Sequence, residues 1–194
     1  MNEEKGDEMA EIIKILGIAG SLRKGSFNQA ALRVAAELVP DGAKIAIYDI
    51  DGFPGFNQDM DQDPPAKVKE FKQRIRDADA VLFSSPEYNY SIPGVLKNAI
   101  DWASRPYGDS AWDGKPAAIM GVSPGNIGTA RMQYHLRQVM VFLNMFPLNR
   151  PEVMIGKAAE KFDENGNLTD EQTREFIGKM LVSLVEWTQQ LAKK

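Results

Sequence analysis

Three short stretches of this chain hold residue types dense enough to do chemistry. The first reads Gly20-Ser21-Leu22-Arg23-Lys24-Gly25-Ser26-Phe27-Asn28. Its glycines permit a tight turn and positive φ, so that backbone N–H groups can point at one spot. Ser21 and Ser26 bring hydroxyls, Asn28 an amide and Arg23 a fork of charge-assisted donors. A helix starting at Phe27 would add its positive end. This donor set suits one terminal phosphate; the plainer alternative is a capped turn. Two other phosphate loops do not fit. A Walker A loop needs Gly-Lys-Ser/Thr at its end, but here Ser26 follows Gly25 directly and Lys24 precedes it. The dinucleotide fingerprint G-x-G-x-x-G fails too, because Gly17, Gly20 and Gly25 are spaced differently.

The second stretch is Ser84-Ser85-Pro86-Glu87-Tyr88-Asn89-Tyr90-Ser91-Ile92-Pro93-Gly94. Backbone groups held between Pro86 and Pro93 could meet the polar edge of a flat heterocycle, and Tyr88 or Tyr90 could cover its face. A structural turn with packed tyrosines is the alternative. The third stretch, Gly121-Val122-Ser123-Pro124-Gly125, matches the nucleophile elbow G-x-S-x-G and makes a serine hydrolase the rival enzyme class. Its chemistry does not fit that class. Pro124 has no N–H to give an oxyanion hole, and no Asp or Glu lies between Ser123 and the sole histidine, His135. His135 falls in a run of helical periodicity and reads as an ordinary helix histidine. The methionines around it (Met132, Met140, Met145) read as core or subunit interface. Asp59, Asp61 and Asp63 lack the glycine and distal glutamate of a calcium loop and read as a solvated turn.

Composition narrows the chemistry further. The 194 residues include no cysteine, so thiol nucleophiles, disulfides and iron–sulfur ligation are excluded. One histidine rules out a histidine-rich metal cage. Any redox chemistry must then come from an organic cofactor. The net charge of −4 argues against a nucleic-acid partner, which needs a basic face. Residues 1–11 are polar with no apolar core and read as a flexible tail, not a secretory signal. No run approaches the about 18 apolar residues of a membrane span, so a soluble, cytoplasmic protein is expected.

The elements that must position these stretches follow from periodicity. Near-continuous apolar runs predict strands at Ile12–Ala19, Ala43–Tyr48, Ala80–Ser84 and Ala117–Val122, with a short fifth at Glu152–Ile155. Amphipathic segments predict helices at Phe27–Leu38, Ala66–Arg76, Pro93–Ser104, Thr129–Met145 and from about Thr169 onward. Alternating strands and helices imply right-handed βαβ units. One domain over residues 12–194 is expected: a flavodoxin-like, doubly wound five-stranded parallel sheet of order 2-1-3-4-5, in three α/β/α layers. Ligands in such sheets sit beyond the carboxyl ends of the strands, where all three stretches fall.

GSLRKGSFN, SSPEYNYSIPGVLKNAIDW and GVSPG together resemble the NAD(P)H-dependent FMN reductase family, most of all its chromate, quinone and azo-dye reductase branch. The similarity runs from about Ile13 to Met154. It implies that Ser21, Arg23, Ser26, Asn28 and Gln29 hold the FMN phosphate. It implies that Pro86, Glu87, Tyr88 and Asn89 lie along the isoalloxazine, and that Ser123 and Gly125 close over the ring. NADPH or NADH would be the co-substrate. Hydride would pass through FMN to a small acceptor (quinone, azo dye, chromate or free flavin) by a ping-pong route, in a homodimer or homotetramer, with no catalytic side chain. Arg105 is a candidate for attracting an anionic substrate or the dinucleotide phosphates, or else a surface ion-pair residue. The chain departs from the common family pattern at Thr129, where many relatives have a second glycine after Gly128. The main alternative is a flavodoxin-type electron carrier needing a protein partner; a fold relative without flavin is a further one.

Overall fold

A computed structural model describes residues 12–193. The expected tail at 1–11 lies outside the described residues. In chain order the elements are β1 (Ile13–Ala19), α1 (Phe27–Leu38), β2 (Ala43–Tyr48), α2 (Ala66–Asp77), β3 (Ala80–Ser84), α3 (Gly94–Ala103), β4 (Pro116–Val122), α4 (Ala130–Phe142), β5 (Phe146–Pro147), β6 (Val153–Ile155), α5 (Ala158–Lys161) and α6 (Glu171–Ala192). All strand pairs are parallel, in the order β2-β1-β3-β4, and β4 pairs with both β5 and β6. The expected flavodoxin-like order is therefore present.

β3 and β4 are buried at every residue, and β1 at all but Lys14. Apolar side chains on both sides of each strand leave no polar face, so both faces must be covered by helices. One face packs Ile15, Leu82, Ala118 and Met120 against Leu32 and Ala35 of α1 and Ile177, Leu181 and Leu184 of α6. The other packs Ile18, Val81, Phe83 and Ile119 against Phe71 of α2, Leu96 and Ile100 of α3, and Leu136 of α4, with Trp112 among them. β2 is the edge strand and none of its residues is fully buried.

The last position of the sheet differs from expectation. Two short strands share it: Phe146 and Pro147 pair with the start of β4, and Val153–Ile155 pair with its end. Pro147 has no N–H and Pro151 follows closely, so one continuous ladder cannot run through this segment. α4 stops at Phe142 and not Met145, because Asn144 takes a left-handed conformation (φ 53°) and Met145 N–H donates back to Met140 O at 3.0 Å. α6 begins after Asp170, whose carboxylate caps Thr173 N–H at 2.9 Å. A short α5 makes six α-helices among the described residues where five were expected.

β1, β3 and β4 end at Ala19, Ser84 and Val122, the residues from which the three chemical stretches depart. Gly20 N–H donates to Ser84 O, and Ser85 N–H to Met120 O, so the loops leave the sheet side by side.

Candidate flavin site

The first loop is built for close approach. A Cβ on Gly20 would lie 2.2 Å from Ser85 Oγ, so glycine is required there by packing against the second loop. The expectation of positive φ in this loop is corrected: neither Gly20 nor Gly25 adopts it. Ser21 and Ser26 are buried, and each hydroxyl oxygen accepts a local amide, from Arg23 at 3.4 Å and from Gln29 at 3.4 Å. Their hydroxyl hydrogens stay available to a ligand. The Arg23 guanidinium lies 5.5 Å from the Phe27 ring and has no ion pair among the described residues. Phe27 and Asn28 open α1, where backbone N–H groups have no intrahelical acceptor.

Two of the five residues expected at the phosphate are committed elsewhere. The Asn28 side chain donates to Val122 O at 2.9 Å and accepts from Val122 N–H at 2.8 Å, while Ser84 Oγ donates to Asn28 O at 2.8 Å. Asn28 thus ties α1 to the ends of β3 and β4. Gln29 Nε2 donates to Ser21 O at 2.9 Å and holds the loop. Ser21, Arg23, Ser26 and the helix end remain as an anion cradle with no acidic side chain between Gly20 and Gln29, a donor set that fits a phosphate.

The second loop turns tightly after Glu87. Tyr88 and Ser91 exchange both backbone hydrogen bonds, at 3.1 and 2.9 Å. Asn89 and Tyr90 between them have φ of 50° and 63°, the signature of a type I′ turn. Left-handed backbone suits asparagine but is uncommon for tyrosine, and costs of order 1–3 kcal/mol. The structure that holds this turn was not legible in the sequence. Glu87, only 6% exposed at its side chain, accepts Arg131 N–H at 3.0 Å and Met132 N–H at 3.2 Å, and pairs with Arg131 Nε at 2.5 Å. Its carboxylate serves as the cap that Thr129 does not supply to α4. Glu87 therefore positions the loop, and its oxygens point to α4. On the same side Ser91 Oγ sits 3.0 Å from His135 Nδ1. His135 is an exposed helix residue whose serine partner is Ser91, while Ser123 Oγ accepts Gly125 N–H at 3.2 Å, so Ser123 and His135 do not pair.

The second and third loops enclose a cleft of about 440 Å³. Glu87, Asn89, Tyr90, Ser123, Gly125 and Arg131 are among its lining residues, with Asn126, Ile127 and Gly128 completing the third-loop wall. Pro86 is part-buried at the loop's base and Tyr88 half-exposed beside it. Thr129 does not enter the cleft. It is fully buried, its hydroxyl accepts from Gln133 Nε2 at 3.1 Å, and a Cβ on Gly121 would lie 2.1 Å from its Oγ1. The departure at Thr129 is thus absorbed beneath the loop. A larger open trough of about 930 Å³ runs along α6 past Leu38, Pro151 and Val182, but none of the three loops reaches it.

Within one chain Arg105 is not brought to this cleft. It follows α3, which runs back from the site along the sheet, and its guanidinium stacks 4.1 Å from the Tyr107 ring. Lys72 Nζ donates to its carbonyl oxygen.

The model of the NADPH-dependent FMN reductase family matches residues 13–160. The chain belongs to this family. It is 55% identical over 185 residues to an NAD(P)H-dependent FMN reductase of Pseudomonas aeruginosa, covering 94% of this chain and 99% of that one. It is 46% identical over 175 residues to a 2-hydroxy-1,4-benzoquinone reductase of a Burkholderia species, covering 90% and 96%. Among solved structures it is similar to FerB, an NAD(P)H:(acceptor) oxidoreductase from Paracoccus denitrificans, with a TM-score of 0.85, 38% identity and coverage of 92% and 98%. FMN is the family's cofactor and NAD(P)H its reductant.

Proposed function

We propose that this FMN reductase family member reduces small quinone-type acceptors with electrons from NAD(P)H, the two substrates using one cleft in turn. The observation that carries this reading is the pairing of a phosphate cradle at Ser21, Arg23 and Ser26 with an open cleft at Asn89, Tyr90, Ser123 and Gly125. Bound FMN supplies the chemistry, taking up hydride and releasing electrons. The protein's own residues bind, orient and shield: Arg23 and the start of α1 hold the anionic end, while Pro86, Tyr88, Asn89, Ser123 and Gly125 border the ring. No side chain in the cleft is arranged as an acid–base pair, so none is assigned a proton transfer. A single cleft means that donor and acceptor exclude each other, which gives ping-pong kinetics. Quinone-reductase relatives at 43–46% identity support the acceptor class.

Our reading includes a second copy of the chain. Val141 and Phe142 on α4 are 79% and 72% exposed, and Tyr134, Ile127 and Tyr90 continue this apolar face toward the cleft. A face of this kind beside a site fits a homodimer or homotetramer. Among the described residues no helix is long and apolar enough to cross a membrane, and the cytoplasm, where NAD(P)H is regenerated, is where the reading places the protein.

The test is the visible spectrum of the purified protein before and after NADPH or NADH is added without oxygen. Flavin bands that bleach, then return on adding a benzoquinone with no partner protein, meet the expectation. Bands that persist would favour an electron carrier that waits for a protein partner.

A further inference from the structure

Arg131 is held at the mouth of the cleft, and four of its five guanidinium N–H donors have no partner among the described residues. Its Nε pairs with Glu87 Oε1 at 2.5 Å, and its own N–H donates to Glu87 Oε2 at 3.0 Å. The guanidinium carbon lies 3.6 Å from the centre of the Tyr90 ring. The side chain is nevertheless 39% exposed, and its two terminal nitrogens make no hydrogen bond among the described residues. Glu87 is the sole carboxylate among the residues lining the cleft, and it is turned to Arg131 and the start of α4. The mouth therefore presents an oriented fork of N–H donors with no competing anion.

The geometry points to Arg131 as the residue that recognises the diphosphate of the nicotinamide dinucleotide. This inference rests on the reductase reading above. A planar guanidinium matches two phosphate oxygens, and one already held by its contacts with Glu87 and the Tyr90 ring loses little freedom when the anion arrives. On the reductase reading the anionic end of FMN takes the donors of Ser21, Arg23 and Ser26, none of which lines the cleft. The remaining phosphate-bearing molecule in the reaction is the dinucleotide, which must enter over the ring from solvent. The diphosphate is shared by NADH and NADPH, so Arg131 promotes binding of both and does not choose between them.

The FMN-loaded protein and its Arg131→Ala variant would be titrated calorimetrically with ADP-ribose, which carries the diphosphate but no nicotinamide. KM for NADH and for NADPH would be measured alongside. The expected result is ADP-ribose affinity about tenfold or more weaker in the variant, the scale of a lost charge-assisted contact, with KM for both dinucleotides raised by a similar factor. Unchanged ADP-ribose affinity overturns the inference, as does a wild-type protein that oxidises NADH yet does not bind ADP-ribose. A rise in KM for NADPH alone also overturns it, assigning Arg131 to the 2′-phosphate. Should Arg131→Ala lose FMN, Arg131→Lys carries the test, since it keeps the charge but not the fork: weaker ADP-ribose binding supports the inference and unchanged binding overturns it. If wild-type flavin is not reduced by either dinucleotide, the reductase reading itself fails; if it is reduced and the variants bind ADP-ribose normally, only this inference does.

Discussion

Glu87 caps a helix that starts more than forty residues later, accepting the N–H groups of Arg131 and Met132 at 3.0 and 3.2 Å. One carboxylate thereby joins the loop after β3 to the amino end of α4 and fixes both walls of the cleft. Glu87→Ala should cost about 1–3 kcal/mol, combining a lost cap with an unpaired Arg131, and should lower the melting temperature and weaken FMN binding together. Glu87→Gln retains an acceptor and should recover part of both. A melting temperature unchanged in Glu87→Ala would show that the cap is dispensable.

Arg23 has no ion pair among the described residues, and on the proposed reading it meets the FMN phosphate. Arg23→Ala should weaken FMN binding by about 1.5–3 kcal/mol, the scale of a charged hydrogen bond, while leaving the fold intact. Fluorescence titration of apoprotein with FMN measures this, and equal affinity would remove Arg23 from the cradle.

Asn28, in the first turn of α1, holds Val122 with both ends of its side-chain amide. Asn28→Leu strips the acceptor from Val122 N–H and the donor from Val122 O, both buried. A cost of about 2–4 kcal/mol is expected in urea unfolding, since each buried group left unpaired costs about 1–3 kcal/mol. A direct phosphate ligand would instead show weaker FMN binding at full stability.

Asp109 provides the pH prediction. Its carboxyl is held below the ordinary carboxylate range, first by the hydrogen bond from Lys72, against desolvation, and then by the charges of Lys72 and Arg76. A carboxylate whose folded value is depressed contributes stability above the unfolded value, near about 3.9, and loses it as pH falls through the folded value. Asp109→Asn should therefore destabilise at neutral pH, and the gap from wild type should close below about pH 4. Lys72 is 5% exposed at its side chain but Asp109 is 54% exposed, so solvent screening keeps the effect modest. A gap that persists into acid would assign the loss to packing.

Gly20 reports on the contact between the first two loops. Gly20→Ala places a methyl 2.2 Å from Ser85 Oγ and 2.7 Å from Ser85 Cβ, so the loops must part. A cost of about 1–3 kcal/mol and weaker FMN binding are expected. Gly25→Ala, whose nearest neighbour is the flexible Arg23 guanidinium at 3.2 Å, should be milder on both counts. Equal effects would remove the packing argument for Gly20.

The chain's periodicity determined the layers. Near-continuous apolar runs at Ile12–Ala19, Ala80–Ser84 and Ala117–Val122 read as strands covered on both faces, and the loops after them are where such a sheet binds ligands. Donor-rich loop chemistry was legible for the same reason: Ser21, Arg23 and Ser26 lie within six residues of one another, and local spacing is what a sequence displays. Long-range partnership was not. The sequence cannot show that Asn28 binds Val122, that Glu87 caps α4, or that Arg131 stacks on Tyr90, because these pairs are 94, 44 and 41 positions apart and meet only after the sheet has closed. Nor can it show that Arg105 ends away from the cleft, since that depends on the direction in which α3 leaves the site. Backbone conformation at Asn89 and Tyr90 belongs to the same class: local preference opposes a left-handed tyrosine, and the turn exists because the tertiary contacts of Glu87 and Ser91 with α4 hold both of its flanks.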